Sequence, residues 1–290
     1  MNILSFDVEE WYIQKAYLGN KSEEYQRYDS YLNQILDTLD EQNLKATFFC
    51  VGGLAREFPY VVKKIDQRGH EIGCHSDKHT WLNRMSRAEL LEDTRSAIES
   101  IEDVLGKKVL AYRAPAFTIG DSNKYALEVL ADCGIERDAS IFPAVHDFGG
   151  FEHFEQKEPC VIRRNGISIK EFPICVTKIL GKNFAYSGGG YFRFFPLWFI
   201  KNQMSKNSYN MTYFHISDLI EKDRMDDATF ESYYKITATK TNRFVRDLKN
   251  NLGTKGAFCK LMSFIESMEF VSLESADKLL DWTKAKIIEL

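Results

Sequence analysis

The stretch ILSFDVEEW, residues 3–11, decides the fold prediction because its apolar residues run directly into acidic ones. The apolar run indicates a buried strand, and Asp7, Glu9 and Glu10 come at its end. Side chains alternate along a strand, so Asp7 and Glu9 share one face and Glu10 lies on the other. The first strand therefore places the carboxylates of Asp7 and Glu9 on the same face, where they can enter one pocket. We expect a solvated or ion-paired role for Glu10.

Strand-like and helix-like segments alternate about five times through the first half of the chain. A short helix is predicted from Pro59 to Gly69, and a longer one begins with the capping box Ser86-x-x-Glu89 and ends at Gly106. The stretches KATFFCVGG, HEIGCHS, KVLAYRAP and IERDASIF are predicted strands. This alternation is typical of βα units, so it predicts an α/β fold with a parallel sheet or barrel.

The second half departs from this alternation. Two β-rich runs around Asn165-Gly166 predict a hairpin, which we interpret as a local insertion. MTYFHISDL predicts another core strand, EFVSL a late strand, and SADKLLDWTKAKII a closing helix. We expect one domain over residues 1–290, with its core motifs in 3–220 and a helical extension over 221–290.

The composition excludes several classes of function. The chain has 290 residues, of which 44% are hydrophobic and 28% charged, and its net charge of −4 argues against a nucleic-acid footprint or a polybasic membrane patch. No apolar stretch is long enough to cross a bilayer, and the first residues lack the pattern of a signal peptide, so we expect a cytoplasmic protein. The six cysteines form no C-x-x-C pair, which indicates free thiols.

Unusual polar residues stand where the predicted parallel strands end. In chain order they are Asp7, Glu9, His75, His79, Arg113, Asp138 and His215. Active sites of barrels and open α/β sheets are built at the carboxyl ends of the strands. Several such residues at one edge therefore predict a catalytic site there.

The pair His75-x-x-x-His79 indicates a metal site. If the backbone turns helically after Ser76, the two imidazoles share a face, and two imidazoles with one carboxylate form a common catalytic site for a divalent cation. Of Asp7 and Glu9, one is expected to bind the cation and the other to take a proton. Zinc suits the histidine-rich donor set, and cobalt, nickel and iron remain alternatives.

Five stretches, SFDVEEW, HSDKH, YRAPAF, DASIFP and YFHISDL, occur in this order within residues 3–220. Together they resemble the five motifs of the polysaccharide deacetylases, the NodB-like carbohydrate esterases of family four. DVEEW, RAPAFTI and SGGGYFR are more similar to members found with bacterial exopolysaccharide and surface-glycan biosynthesis. The resemblance implies a distorted (β/α) barrel of about seven parallel strands. It also implies hydrolysis of an N-acetyl group on an amino sugar of a glycan or glycan precursor, which releases acetate.

The resemblance assigns roles to the first group of polar residues. Asp7 matches the catalytic base of the first motif. The metal-ligating aspartate that usually follows it is replaced by Val8, so the carboxylate ligand falls on Glu9. The two histidines of the second motif match His75 and His79, which complete the ligand set.

The remaining motifs imply the rest of the catalytic machinery. Arg113 matches the arginine that holds the base Asp7, and the backbone N–H of Ala116 would stabilise the oxyanion. His215 matches the general acid, and Asp138 matches the aspartate that orients it. Three departures from the family pattern fall in these motifs: Ala116, where many relatives have tyrosine, IFP in place of the fourth-motif tryptophan, and Ile216, where proline often follows the histidine.

Aromatic residues near the strand ends are candidates for contact with a sugar ring, with core packing as the alternative for each. They are Trp11, Phe117, Phe142, Tyr191 and Phe192. Two other functions remain open: a metal-independent amidohydrolase acting on a small or cyclic amide, and a non-catalytic glycan-binding protein. The expected partner is an N-acetylated carbohydrate rather than a nucleic acid or a membrane, and an oligomer stays open.

Overall fold

The computed structural model describes residues 1–179, 181–221, 225–234 and 236–290. Its strands are β1 (Asn2–Ile3), β2 (Ser5–Val8), β3 (Thr47–Cys50), β4 (Glu71–Cys74), β5 (Ala111–Tyr112), β6 (Arg137–Asp138), β7 (Cys160–Arg164), β8 (Ile167–Glu171), β9 (Val176–Ile179), β10 (Lys182–Ala185), β11 (Asn210–Met211), β12 (Phe214–His215) and β13 (Lys286–Glu289). Its helices are α1 (Glu10–Tyr17), α2 (Ser22–Glu41), α3 (Gly52–Glu57), α4 (Pro59–Gln67), α5 (Arg87–Leu105), α6 (Tyr125–Asp132), α7 (Gly189–Phe194), α8 (Leu197–Met204), α9 (Asp227–Tyr234), α10 (Lys240–Asn251), α11 (Ala257–Glu266) and α12 (Leu273–Leu279).

The main sheet has nine strands in the order β12-β2-β3-β4-β5-β6-β8-β7-β13. Every neighbouring pair from β12 to β8 is parallel, and helices connect β2 through β6 in turn. Strands β2 and β3 are buried along their whole length, as expected when helices cover both faces of a parallel sheet. The predicted α/β fold is confirmed. Within the described ranges the ladder stays open rather than closing into a barrel.

The residues predicted to begin and end helices in the first half of the chain do so in the structure. The Ser86 hydroxyl accepts from the backbone N–H of Glu89, whose carboxylate accepts in return from the N–H of Ser86, and α5 ends at Gly106 with φ of 70°. Helix α4 begins at Pro59, where a missing N–H costs nothing. In the part of the chain that is described, no helix is long and apolar enough to cross a membrane.

The predicted hairpin is confirmed, but it is not a local insertion. Strands β7 and β8 pair antiparallel around Asn165 and Gly166, whose φ values of 45° and 86° suit a two-residue turn. Strand β8 also pairs in parallel with β6, which makes it a member of the main sheet. The hairpin therefore supplies β8, the last strand in the series that runs parallel from β12.

The end of the chain differs from the predicted closing helix. Helix α12 stops at Leu279, and β13 pairs in parallel with β7, placing Ile288 beside Ile162. The free edge of β7 accepts a strand there, which a local pattern cannot reveal. The expected late strand EFVSL is reduced to a single bridge between Ile3 and Val271. Parts of the predicted helical extension, 222–224 and 235, lie outside the described residues.

Candidate active site

The carboxyl ends of the parallel strands bring the predicted polar residues together. Asp7 lies in β2 directly beside His215 of β12. His75 follows β4, and Arg113 follows β5, which pairs with β4 through Cys74 and Tyr112. The edge predicted from the sequence is therefore the edge on which these side chains meet.

Three side chains form a cluster of possible metal ligands at this edge. Glu9 Oε2 lies 2.5 Å from His79 Nε2 and 3.6 Å from His75 Nε2. Suitable donor atoms of all three residues lie within 4.8 Å of one another. One carboxylate and two imidazoles at this spacing match the donor set of a catalytic divalent-metal site.

Hydrogen bonding prepares this cluster for a cation. His75 Nδ1 lies 2.7 Å from the carbonyl oxygen of Arg113, so Nδ1 carries the hydrogen and Nε2 keeps its lone pair. His75 Nε2 is buried without a hydrogen-bond partner in the described structure. Burial opposes ionisation of Glu9, but the charges of His79 and His215 hold its pKa well below the usual value. The residues present therefore fit a divalent cation.

The sequence pattern predicted that a helical turn aligns the two histidines. The structure aligns them by a different backbone conformation. Ser76 and His79 have φ values of 62° and 56°, in the left-handed region. Arg56 Nη1 lies 2.6 Å from Asp77 Oδ1, and the Ser76 carbonyl accepts from Gly52 N at 2.9 Å. Both ends of α3 thus fix the loop, so that tertiary contacts rather than helical spacing align the imidazoles.

Asp7 is held by a fully buried arginine. Arg113 Nη1 donates to Asp7 Oδ1 at 2.9 Å and to the Ser5 hydroxyl at 2.8 Å, while Nε donates to Ala139 O at 3.2 Å. The guanidinium also lies over the ring of Phe49, 4.3 Å from its centroid. These contacts confine the Asp7 carboxylate to one orientation and compensate its burial.

His215 is paired on both sides of its ring. Its Nδ1 lies 2.9 Å from Asp218 Oδ2, and its Nε2 lies 3.6 Å from Asp7 Oδ2. Burial lowers the pKa of His215, but Asp218, by charge and hydrogen bond, and then Glu9 and Asp7 outweigh it and raise this pKa to about 10. The imidazole is therefore a proton donor at neutral pH.

A family model described as polysaccharide deacetylase matches residues 23–137. Residues 23–137 are therefore similar to the polysaccharide deacetylase family. A second model, described as a domain of unknown function (DUF3473), matches residues 139–276. The resemblance found in the sequence is thereby confirmed at the level of the family, and its exopolysaccharide subgroup stays a prediction.

Relatives with names cover only part of the chain. It is similar to a Bacillus cereus peptidoglycan-N-acetylglucosamine deacetylase, 32% identical over 85 residues, which are 29% of this chain and 31% of the relative. It is also similar to a Pestalotiopsis chitin deacetylase, 31% identical over 108 residues, which are 36% of this chain and 35% of the relative. The chain thus spans about a third of the length of these relatives.

The fold of this chain is similar over its whole length to that of a solved structure. A crystal structure of a Mycobacterium smegmatis protein assigned to the polysaccharide deacetylases covers 100% of this chain, and this chain covers 92% of it. The TM-score is 0.65 at 17% sequence identity. The likeness concerns the fold alone and includes both segments that the family models match.

Asp138 does not lie against His215, whose Nδ1 contacts Asp218 instead. Asp138 stands opposite Glu171 in the register of β6 and β8 and accepts from the hydroxyl of Ser140. Burial raises the pKa of Asp138 to about 6 and that of Glu171 well above its usual value. We interpret the two carboxyls as a pair that shares a proton. The contact with His215 that was expected of Asp138 is therefore made by Asp218.

Glu10 is also placed differently from the expectation of a solvated or ion-paired residue. Its side chain is buried, with Oε1 accepting from Ser217 N at 2.8 Å and Oε2 from Glu9 N at 3.3 Å. Burial and the charge of Glu9 raise the pKa of Glu10. Glu10 therefore ties the end of β2 to the turn that follows His215.

A cavity of about 1150 Å³ opens over these residues. Glu9, His79 and His215 line it, together with the predicted substrate-contact residues Ala116, Phe117, Phe142 and Tyr191. Ala116 has φ of 49°, which places the strand-end residue in the left-handed region. The predicted site is thus continuous with a space large enough for a ligand of several rings.

Two of the predicted aromatic contacts lie in the core instead. Trp11 is fully buried and meets Tyr28 of α2 edge to face, with ring centroids 5.5 Å apart, because helix α1 already begins at Glu10. Phe192 packs edge to face on Phe214 at 4.9 Å. These positions correct the expectation that the two rings reach a sugar.

The first glycines of the stretch SGGGYFR allow a close contact with another segment of the protein rather than with a ligand. A Cβ at Gly188 would lie 2.3 Å from the carbonyl oxygen of Tyr213. Only glycine permits this close pairing, which brings Tyr191 to the cavity wall.

One site residue was missed from the sequence. Asp218 lies three residues after His215, within a 3₁₀ turn at Ile216–Asp218, and its carboxylate also accepts from the backbone N–H of His215 at 3.3 Å. The i, i+3 spacing in YFHISDL is the signal that could have found it.

Proposed function

We propose that this protein hydrolyses the N-acetyl group of an amino sugar in a bacterial glycan or glycan precursor, with a bound divalent cation, and releases acetate. One observation carries the proposal. The Arg113-held carboxylate of Asp7 and the Asp218-held imidazole of His215 stand 3.6 Å apart beside the cluster of metal-ligand candidates. A base, an acid and a cation site close together beside one cavity are the parts that amide hydrolysis requires.

The proposed cation ligands are Glu9, His75 and His79. A divalent cation held by these residues would supply Lewis-acid chemistry for amide hydrolysis. Zinc is our first choice because two imidazoles and a carboxylate are common zinc ligands, and cobalt, nickel or iron suit the same donors. The carbonyl of Arg113 on His75 Nδ1 keeps that ring in the required tautomer.

Asp7 takes one proton from the attacking water as oxygen adds to the acyl carbon. Arg113 keeps the Asp7 carboxylate in one orientation during this step. The backbone N–H of Ala116 is the proposed donor to the developing oxyanion. Each of base and acid would contribute about 10²- to 10⁴-fold in rate.

His215 gives its Nε2 proton to the leaving nitrogen as the C–N bond breaks. Asp218 accepts from Nδ1 and stabilises the charged ring until that moment. The amine leaves neutral, and the proton held by Asp7 balances the one lost by His215. The products are acetate and a free amino sugar.

The relatives with named activities support the class of substrate. They are named as deacetylases of peptidoglycan and of chitin, both of which carry N-acetylated sugars. The exopolysaccharide role and the cytoplasmic location stay predictions from the sequence.

The test compares two histidine variants. His75→Ala removes a proposed ligand, while His153→Ala removes an exposed histidine that contacts Asp121 outside the cavity. We expect about one equivalent of metal by mass spectrometry, and acetate release from N-acetylglucosamine oligomers, in the wild type and in His153→Ala. We expect both to be lost in His75→Ala.

Other outcomes identify the rival functions. Acetate release without metal would refute metal dependence and favour the metal-independent amidohydrolase. Metal and glycan binding without acetate release, unchanged in Asp7→Asn, would favour the glycan-binding protein.

A further inference from the structure

Two buried acids lie next to the strand end that holds Arg113, and the proposed reaction does not use them. Asp138 and Glu171 stand opposite each other in the register of β6 and β8, and both are 0% exposed. Neither occurs among the described residues that line the cavity. Buried carboxyls cost free energy unless hydrogen bonds compensate them, so the bonds that these two make show what they hold in place.

The two acids hold the backbone that follows β6. Glu171 Oε1 accepts from Ile141 N at 3.1 Å, and Asp138 Oδ1 accepts from the hydroxyl of Ser140, which is itself fully buried. Asp138 Oδ2 and Glu171 Oε2 have no partner among the described residues, and a proton shared by the two carboxyls would satisfy both. The pair thus fixes the backbone after β6 at two points.

This backbone in turn holds Arg113. The Nε of Arg113 donates to Ala139 O at 3.2 Å, and the N–H of the next residue, Ala114, donates to Ser140 Oγ at 2.8 Å. The same guanidinium donates from Nη1 to Asp7 Oδ1 at 2.9 Å. A shift of Arg113 away from Ala139 would therefore turn the carboxylate of Asp7 out of its orientation.

Arg113 and Ala114 also reach the other parts of the proposed reactive centre. The carbonyl oxygen of Arg113 lies 2.7 Å from His75 Nδ1. The carbonyl oxygen of Ala114 accepts from Phe117 N at 3.0 Å, which closes the turn that contains Ala116. A displacement of Arg113 and Ala114 would thus move the base, a cation ligand and the oxyanion donor together. A misplacement of about 1 Å in such groups can cost about a hundredfold in rate.

We propose that Glu171 is a positioning residue that holds Arg113, through the backbone after β6, in the orientation that aims Asp7 at the attacking water. This inference rests on the proposed function and adds to it a residue that contacts neither substrate nor cation. Glu171 lies in the segment 139–276, which matches the domain of unknown function. That segment therefore helps to set the geometry of the reactive centre from behind the cavity.

The test compares variants that differ in whether they keep the hydrogen bonds of Glu171. Glu171→Leu removes these bonds, whereas Glu171→Gln keeps an oxygen for Ile141 N and offers an N–H to Asp138. Acetate release from N-acetylglucosamine oligomers is divided by the bound metal, so that only intact sites are counted. We expect kcat to fall at least about tenfold in Glu171→Leu, with KM within about twofold because the residue does not line the cavity. Glu171→Gln should restore kcat to within about threefold of the wild type.

Glu71 offers a matched control for the general effect of removing a buried acid. Its side chain is 7% exposed and pairs with Arg137 at 3.2 Å, at the end of β4 that is remote from His75. Glu71→Leu should lower the stability to urea and leave kcat per bound metal unchanged. The same result in Glu171→Leu would show a merely structural role and overturn the inference.

Ser140→Ala keeps the inference testable if Glu171→Leu does not fold. It removes the hydroxyl between Asp138 and Ala114 N, and should lower kcat about two- to tenfold with KM retained. An unchanged kcat in Ser140→Ala would overturn the inference in that case. A kcat that Glu171→Gln fails to restore would also overturn it.

A double-mutant cycle separates this inference from the proposed function. Unfolding in urea is measured for Glu171→Leu, Arg113→Met and both together. We expect their combined effect on the unfolding constant to be at least about fivefold smaller than the product of the single effects. Such coupling without acetate release by the wild type would support the link from Glu171 to Arg113 and refute the deacetylase. Acetate release that Glu171→Leu leaves unchanged would refute the inference and support the deacetylase.

Discussion

Asp218→Asn should separate the residue that orients the general acid from the one expected from the family pattern. Asp218 Oδ2 lies 2.9 Å from His215 Nδ1, and the two side chains are 13% and 23% exposed. Asparagine keeps an oxygen that can accept from Nδ1, so the substitution removes charge rather than contact. The proton of His215 then loses its charged partner while the ring keeps its position.

The magnitude follows from the strength of a hydrogen bond to a charged group. Such a bond contributes about 1.5–3 kcal/mol, and about 1.4 kcal/mol corresponds to one pKa unit. The pKa of His215, raised to about 10 in the native protein, should therefore fall by about 1 to 2 units in Asp218→Asn. The cation expected beside Glu9 would offset the effect of the Glu9 charge on the pKa of His215 equally in both proteins. The prediction therefore concerns the difference in this pKa between Asp218→Asn and the wild type.

The sign of the pH effect is fixed by the role of the residue. A general acid works while protonated, so activity falls as pH rises through its pKa. Lowering that pKa moves the alkaline limb of kcat/KM for acetate release to lower pH by about 1 to 2 units. Well below this limb the variant and the wild type should converge.

Asp138→Asn is the matched control, because it tests the assignment implied by the family motif. Asp138 pairs with Glu171 and Ser140 rather than with His215, so its substitution should leave the alkaline limb in place. An unmoved limb in Asp218→Asn, or a limb that moves only in Asp138→Asn, would refute the reasoning. Circular dichroism of both variants checks that they fold.

Three further predictions concern the cation, the buried ion pair and acid stability. Glu9→Asp shortens the side chain by one methylene and should weaken metal binding at least about tenfold, as measured by competition with a chelator. Equal metal affinity of the variant and the wild type would contradict the ligand assignment. Arg113→Met leaves Asp7 buried and unpaired and should lower the free energy of unfolding by about 3–5 kcal/mol in urea, while Arg113→Met with Asp7→Leu should recover part of it. Burial lowers the pKa of His70 to about 4, so the unfolded chain binds more protons and stability should fall as pH drops from about 6.5 to 4. His70→Gln should flatten this fall in urea titrations, and an unchanged slope would contradict it.

The sequence by itself determined the features that depend on a few neighbouring residues. The capping box at Ser86 and the turn at Asn165-Gly166 follow from hydrogen bonds and φ values within one turn. The α/β fold follows from alternating strands and helices, whose order leaves little choice but a parallel sheet. Because parallel strands end at one edge, Asp7, Arg113 and His215 could be placed together without any coordinates.

Only the tertiary structure decided which of these residues touch. Asp218 rather than Asp138 contacts His215. The turn after β12 places the Asp218 carboxylate beside the imidazole, whereas the pairing of β6 with β8 places Asp138 opposite Glu171. Ser76 and His79 adopt the left-handed region because α3 fixes their loop.

The same holds for elements whose partners are distant in the chain. Strand β13 forms because β7 offers a free edge, and Trp11 is buried because α2 covers it. Trp81 likewise meets Phe148, which lies far along the chain, with the ring centroids 4.7 Å apart. Local patterns encode backbone conformation, whereas contacts between remote segments depend on how the whole chain packs.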